Sequence, residues 1–206
     1  MSIKRHSLNY FYSIAQKREY SCKIKRSEFI AHLAYVETIE AAKQFISQIS
    51  EEHKNATHNC WAYIVGDNGQ TYHSSDAGEP SGTAGKPILN ALKKYDMTNI
   101  AAVVTRYFGG VKLGIRGLIE AYGQTTEAAI QQKPLKKIVK TVEFKVTTTY
   151  DFIEPLKYNI KEQLGQIIDI QYGAEVQLVV QVEEHLQKPL RNYLQELEKV
   201  GKLKLG

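Results

Sequence analysis

The amino-acid sequence predicts an α+β protein of two domains, residues 1–134 and 135–206, the second following the β-α-β-β-α-β order of a ferredoxin-like fold. Three observations carry this. Segments with a two-residue period alternate with amphipathic helical segments along the chain; Lys133-Pro134 breaks the last helix of the first half; and two glycine-rich segments, 75–86 and 108–114, have no apolar period.

Taken in order, segments 22–25 and 29–35 have strand character, and the polar Arg26-Ser27-Glu28 between them suggests a hairpin or a bent strand pair. Thr38 suits the N-cap of a helix reaching about residue 54, whose Ile39, Ala42, Ile46 and Ile49 make one buried stripe. Residues 60–65 form a strand, Gly66-Asp67-Asn68-Gly69 a tight turn, and residues 70–74 an antiparallel return. Pro87 suits the first turn of a helix to about Tyr95. Residues 99–105 read as a buried strand, and 117–131 as a helix with a small-residue face of Ala121, Gly123, Ala128 and Ala129. In the second domain the alternation predicts one strand over 137–149 and a helix over 152–164 stopped by Gly165 at C′. Strands over 166–172 and 175–182 follow, then a helix over 183–200 that Pro189 bends or delays, and a short last strand over 202–205.

Composition excludes several function classes. Hydrophobic residues make up 43% and charged residues 24%, as in ordinary soluble domains. The longest apolar stretches, such as Ile100-Ala101-Ala102-Val103-Val104, fall far short of the ~20 residues of a membrane helix. Met1 to Tyr12 lack the apolar core of a signal peptide, so a cytoplasmic location with no membrane partner is expected. Cys22 and Cys60 show no metal-type spacing and read as reduced thiols. From Lys136 onward there are 11 basic and 10 acidic residues, so +4 of the net +5 lies upstream. That balance is compatible with an anionic partner and weaker than the footprint of a dedicated nucleic-acid binder.

Familiar catalytic motifs are missing as well. Gly85-Lys86 is no Walker loop, because Pro80 and Pro87 occupy its first glycine and its hydroxyl position. Gly78-Glu79-Pro80-Ser81-Gly82 places its serine one residue late for a nucleophile elbow. His53 and His58 lack the spacing and glutamate of a zinc-peptidase helix, and no dinucleotide fingerprint follows a strand. An enzyme of these classes is not expected, and neither is a catalytic set, a metal site or a cofactor.

The two glycine-rich loops carry the functional signal. In the first, glycines free the backbone to aim successive N–H groups at one point, Ser81 and Thr83 add hydroxyls, and Lys86 stands where a helix begins. This suits an anion such as phosphate. Asp76 and Glu79 argue the other way, and the alternative is a braced structural loop with an acidic cap. The second loop follows a buried strand and carries Arg106, Tyr107, Phe108, Lys112 and Arg116. Arg106 offers a planar fork for phosphate or carboxylate, and the aromatics offer stacking surfaces for single-stranded RNA or a nucleotide. The alternative is that Arg106 pairs with Asp76 or Glu79 and ties the loops together. His58 and Asn59, just before the strand at Cys60, are candidate ligand-binding residues whose simpler reading is structural hydrogen bonding, while Cys60 and Trp61 read as core.

Three segments in order, Ala56 to Tyr63 (ATHNCWAY), Gly78 to Gly85 (GEPSGTAG) and Val104 to Gly114 (VTRYFGGVKLG), resemble the signature of the YigZ/IMPACT family over about residues 18–130. The resemblance implies a first domain of the left-handed βαβ type found in the second domain of a small-subunit ribosomal protein. It implies a second domain like the C-terminal domain of elongation factor G. Eukaryotic members of the family regulate translation by interfering with activation of a kinase that responds to amino-acid starvation. They carry an additional N-terminal RWD domain, which does not fit before Glu19, so that partner does not transfer. The chain departs from the family pattern at Ala77, where an aspartate is usual, at Arg116, where a glycine is usual, and at Glu120, where a basic residue is common.

The expectation is a translation-associated regulatory protein that binds RNA, the ribosome or a translation factor. Two alternatives stand beside it: an enzyme acting on a small phosphorylated or carboxylated anion in the same cleft, and a protein-interaction adaptor.

Overall fold

Why each strand ends where it does follows from what it pairs with. The computed structural model describes residues 10–66 and 69–206. Met1 to Asn9, and Asp67 and Asn68 of the expected turn, lie outside the described residues. β1 is Tyr10–Ser13, β2 Arg18–Ile24 and β3 Ser27–Tyr35. β2 and β3 form the antiparallel hairpin, reversing at Lys25 with φ +54° and placing Glu19 opposite His32. α1 spans Ile39–Glu52, and the Thr38 side chain accepts from the Ala41 N–H as its N-cap. Its fully buried residues are Ala42, Phe45 and Ile49, so Phe45 joins the stripe, while Ile39 and Ile46 flank it half-buried.

β4 (His58–Val65), β5 (Thr71–Ser75), α2 (Gly85–Lys94), β6 (Ile100–Tyr107) and α3 (Gly114–Gln131) complete the first unit. The sheet order is β2-β3-β6-β4-β5, with every neighbouring pair antiparallel. β3 and β4 therefore run parallel with β6 between them, and α1 crosses over. α2 and α3 cover one face, where Phe29, Ala31, Leu33, Cys60, Ala62, Ala102 and Val104 form a core with Ile88 and Tyr122. α1 covers the other, against Ala34, Tyr63, Ala101 and Val103. β6 is buried on both sides, which is why its first five residues, Ile100 to Val104, are a continuous apolar run.

The expected single strand over 137–149 is two. β7 (Lys136–Val139) pairs with β1, and β8 (Thr141–Thr148) begins a separate sheet, with Lys140 between them. Both halves alternate, so the change of partner leaves no mark in the pattern. The chain separates into two compact units at Ile138/Val139. The second contains β8, α4 (Ile153–Glu162), β9 (Gln166–Tyr172), β10 (Val176–Glu183), α5 (Gln187–Lys199) and β11 (Leu203–Leu205). Its antiparallel order β11-β8-β10-β9 is the ferredoxin-like arrangement, closed over Val146, Leu156, Leu178 and Leu190. A 3-10 turn at Glu184–Leu186 precedes α5, so Pro189 lies in the first turn and delays the helix without bending it. Among the described residues no helix is long and apolar enough to cross a membrane.

The stop after α4 differs from expectation. The left-handed residue is Leu164, with φ +61°, and Gly165 follows it, donating its N–H to the Ile160 carbonyl at 2.9 Å. Glycine is needed at 165 for space: a Cβ there would lie 2.8 Å from Ile160 Cγ2 and 3.1 Å from Leu190 Cδ2. Gly165→Ala is expected to destabilise the second unit by ~1–3 kcal/mol, the usual cost of overpacking, read as a lower denaturant midpoint. An unchanged midpoint would show that Ile160 and Leu190 yield freely.

Candidate functional site

The first glycine-rich loop is organised from within. Asp76 accepts from the Gly82 N–H through Oδ2 at 2.8 Å, and from the Ala84 and Gly85 N–H groups through Oδ1 at 2.9 Å each. The carboxylate so caps the start of α2. Burial alone would push its pKa up, but the three N–H bonds outweigh that and hold Asp76 below the ordinary aspartate range. The amide cradle that the sequence suggested for an external anion is filled by a carboxylate of the chain itself. Thr83 is also turned inward, donating to the Pro80 carbonyl at 2.6 Å. Ser81 and Lys86 are exposed on the outer side of the loop.

Arg106 is the second anchor. Alternation along β6 sends it to the α2/α3 side, where its side chain is only 6% exposed and Nη1 donates to Glu79 Oε1 at 2.6 Å. Tyr122 from α3 donates to the same oxygen at 2.9 Å, and Arg106 Nη2 reaches Ser27 Oγ at 3.3 Å. The Phe29 and Phe108 rings lie 5.5 and 5.2 Å from the guanidinium carbon. His58, opposite Arg106 on β4, holds the Ala77 carbonyl through Nδ1 at 2.9 Å and brings Nε2 to 4.0 Å from Glu79 Oε2. Cys60 donates to the Asp76 carbonyl at 3.0 Å, and burial pushes its thiol up to about 12, so it stays protonated and is no nucleophile at neutral pH. Burial likewise pushes the Tyr122 phenol up.

The two loops are thus brought together, and what joins them is a buried ion pair. Arg106 is spent on Glu79, the simpler of the two roles the sequence left open. Tyr107 and Asn59 leave the cleft altogether: strand alternation turns them to the α1 side. There the Tyr107 hydroxyl meets His53 Nδ1 at 3.0 Å, and Asn59 bonds the His53 carbonyl at 3.2 Å and accepts from Thr105 Oγ1 at 2.7 Å. Gly109 seats the second loop on the β2–β3 turn, where a Cβ would fall 1.7 Å from the Arg26 carbonyl oxygen.

What faces solvent is the outer part of that loop and the start of α3. Phe108 is 43% exposed, Lys112 is exposed, and the Arg116 side chain is 92% exposed, pairing with Glu120 at 2.9 Å. The N-termini of α2 and α3 both lack a side-chain bond from the N-cap residue and an acidic residue in the first turn, but at α2 Asp76 from the preceding loop accepts from the Ala84 and Gly85 N–H groups. Ile115 and Ile119, 67% and 42% exposed, lie one turn apart on the same helix. The sequence reading began the helix three residues late and so left Ile115 in the loop, and it named only the small-residue face of the helix that holds Ile119. It also missed Tyr122 and Ser27, which brace Glu79 and Arg106; a tyrosine set among small residues on the predicted sheet-facing side was the available signal.

Fold and site together define a class: a two-unit α+β protein whose glycine-rich loops are locked by an internal ion pair and present a cationic, aromatic outer edge. Among the described residues no group of three or more histidine, cysteine, aspartate or glutamate side chains could hold a metal ion. The chain matches the Impact N-terminal domain over residues 25–130 and a domain of unknown function, DUF1949, over residues 146–197. It belongs to the IMPACT family. It is 36% identical over 195 residues to IMPACT family member YvyE of Bacillus subtilis, covering 92% of this chain and 88% of that protein. It is 38% identical over 160 residues to IMPACT family member YigZ of Escherichia coli, covering 77% and 78%. A crystal structure of a hypothetical protein superposes with a TM-score of 0.64 at 32% identity, covering 96% of this chain and 97% of that one.

Two outcomes are expected. Glu79→Ala leaves Arg106 buried without its counter-charge and should cost ~3–5 kcal/mol in unfolding experiments; a loss under ~1 kcal/mol would mean the guanidinium finds another partner. Because Asp76 is held below its ordinary pKa of ~3.9, its stabilisation is full above that pH and is lost as pH falls below it. The Tm difference between the wild type and Asp76→Asn should therefore shrink below about pH 4.

Proposed function

We propose that this protein is a translation-associated regulator, acting in the cytoplasm, that binds single-stranded RNA, on the ribosome or free, through the outer edge of its second glycine-rich loop. The observation that carries the reading is the exposed set Phe108, Lys112 and Arg116 around the uncapped start of α3. The positive end of an 18-residue helix whose N-cap side chain makes no capping bond favours a phosphate. Lys112 and Arg116 supply charge for neighbouring phosphates, and Phe108 offers a face on which a base can stack. Arg106 and Asp76 then serve as scaffold: they fix the two loops, and the loops present the surface. Most of the net positive charge lies in this half of the chain, which agrees.

One observation favours a second reading. Ile115 and Ile119 form an apolar step beside the cationic edge, as a protein-interaction adaptor would use. The enzyme alternative gains nothing comparable, since Arg106 is neutralised by Glu79 and the Cys60 thiol stays protonated.

Fluorescence anisotropy with a short single-stranded oligoribonucleotide separates these readings. Affinity should fall as salt rises, and Lys112→Ala should flatten the log–log slope by ~0.7, the value for one single-strand phosphate contact. Phe108→Ala should cost ~1–3 kcal/mol, as loss of one stacked base does. Affinity indifferent to both substitutions removes the RNA reading, and a protein partner lost only with Ile115→Asp or Ile119→Asp puts the adaptor in its place.

A further inference from the structure

On the α1 side of the sheet, one buried group is left with an unmet demand. His32 lies on β3 with its side chain 8% exposed, and its Nε2 has no hydrogen-bond partner among the described residues. Its Nδ1 is 3.5 Å from Glu19 Oε2 on β2. The ring of His53, the C-cap residue of α1, stands 4.9 Å away between centroids. His53 in turn meets the Tyr107 hydroxyl of β6 through Nδ1. Glu52, at the end of α1, is the other charge felt at His32. Burial lowers the His32 pKa, His53 lowers it further, and Glu19 and Glu52 oppose both.

This cluster is tied by hydrogen bonds to the exposed loop. The His53 carbonyl accepts from the Ala56 N–H at 2.9 Å and from Asn59 Nδ2 at 3.2 Å. Next along the chain, the Thr57 N–H donates to the Arg106 carbonyl at 2.9 Å, and Thr57 Oγ1 accepts from the Phe108 N–H at 3.0 Å. Hydrogen bonds therefore link the end of α1, the first residues of β4 and the base of the 108–113 loop in one chain.

We propose that His32 and His53 form a proton-operated latch. With His32 neutral, the end of α1 rests on the sheet and Thr57 holds the Phe108 amide. A proton on His32 puts a charge into a buried site beside a second imidazole, frees the α1 end and loosens the start of the loop. The sign follows from the lowered pKa: the latch contributes fully above the ordinary histidine pKa of ~6.5 and is lost as pH falls below it. The effect on ligand binding rests on the RNA reading above; the latch itself does not.

The test is a pH titration of the full chain by NMR, from about pH 8 to about pH 5, the range over which histidines change charge. The Phe108 and Thr57 amide signals should shift, and their exchange protection fall, together with protonation of the His32 ring. His32→Gln, which keeps hydrogen-bonding capacity without titrating, should remove that response. His53→Gln, at a half-buried position with less risk to folding, should weaken it. Amides that stay fixed while His32 titrates, or that respond equally in wild type and both variants, overturn the latch. In parallel, oligoribonucleotide affinity should drop several-fold on acidification in the wild type and not in His32→Gln, opposite to the tightening that added positive charge alone gives. If no RNA binds at any pH, the functional reading fails while the amide titration still decides the latch.

Discussion

The first unit depends on one buried ion pair. Arg106 is carried to the inner end of β6 by strand alternation, and Glu79 is brought over it by a loop that Asp76 has already folded. Neither charge is tolerable alone at that depth. Together, with Tyr122 bonding Glu79, Ser27 bonding Arg106 Nη2 and two phenylalanines flanking the guanidinium, they make the position of each loop a condition for the other, although Arg106 Nε has no hydrogen-bond partner among the described residues. Everything displayed outward, from Phe108 to Arg116, is referenced to that pair.

This arrangement separates scaffold from surface within a single motif. Glu79, Thr83 and Arg106 face inward and are hydrogen-bonded within the unit, whereas Ser81, Lys112, Ile115 and Arg116 face water. In this chain the Asp76, Glu79 and Arg106 side chains are thus structural anchors. Among the side chains that face water, that of Arg116 is 92% exposed.

Much of the fold was legible in the sequence, for identifiable reasons. The helix at Ile39 announces itself through Thr38, the buried β6 through its β-branched run, and the second unit through the order of its periods. What was not legible required knowledge of partners. The break at Lys140 lies between two stretches that both alternate, and only the switch from β1 to β10 distinguishes them. The site was half legible: composition marked both loops as polar and glycine-rich, and Arg106 paired with Glu79 was one of the readings it allowed. That Asp76 fills the amide cradle could not be read, because a carboxylate near free N–H groups looks the same whether it repels a ligand or replaces one. Tyr107 and Asn59 were misplaced for a simpler reason, since the parity of a strand residue is unknown until one neighbour's face is known.

The seating of Gly109 against the Arg26 carbonyl has an implication for how the molecule tolerates change. The backbone of the second loop lies flush on the turn of the first hairpin, with no side chain between them to act as a cushion. An insertion or a lengthened turn around Lys25 and Arg26 would therefore be transmitted undamped to the far side of the contact. Two stretches more than eighty positions apart must drift in concert or stay still, and the hairpin tip, though exposed and polar, is denied the freedom that loop tips ordinarily enjoy.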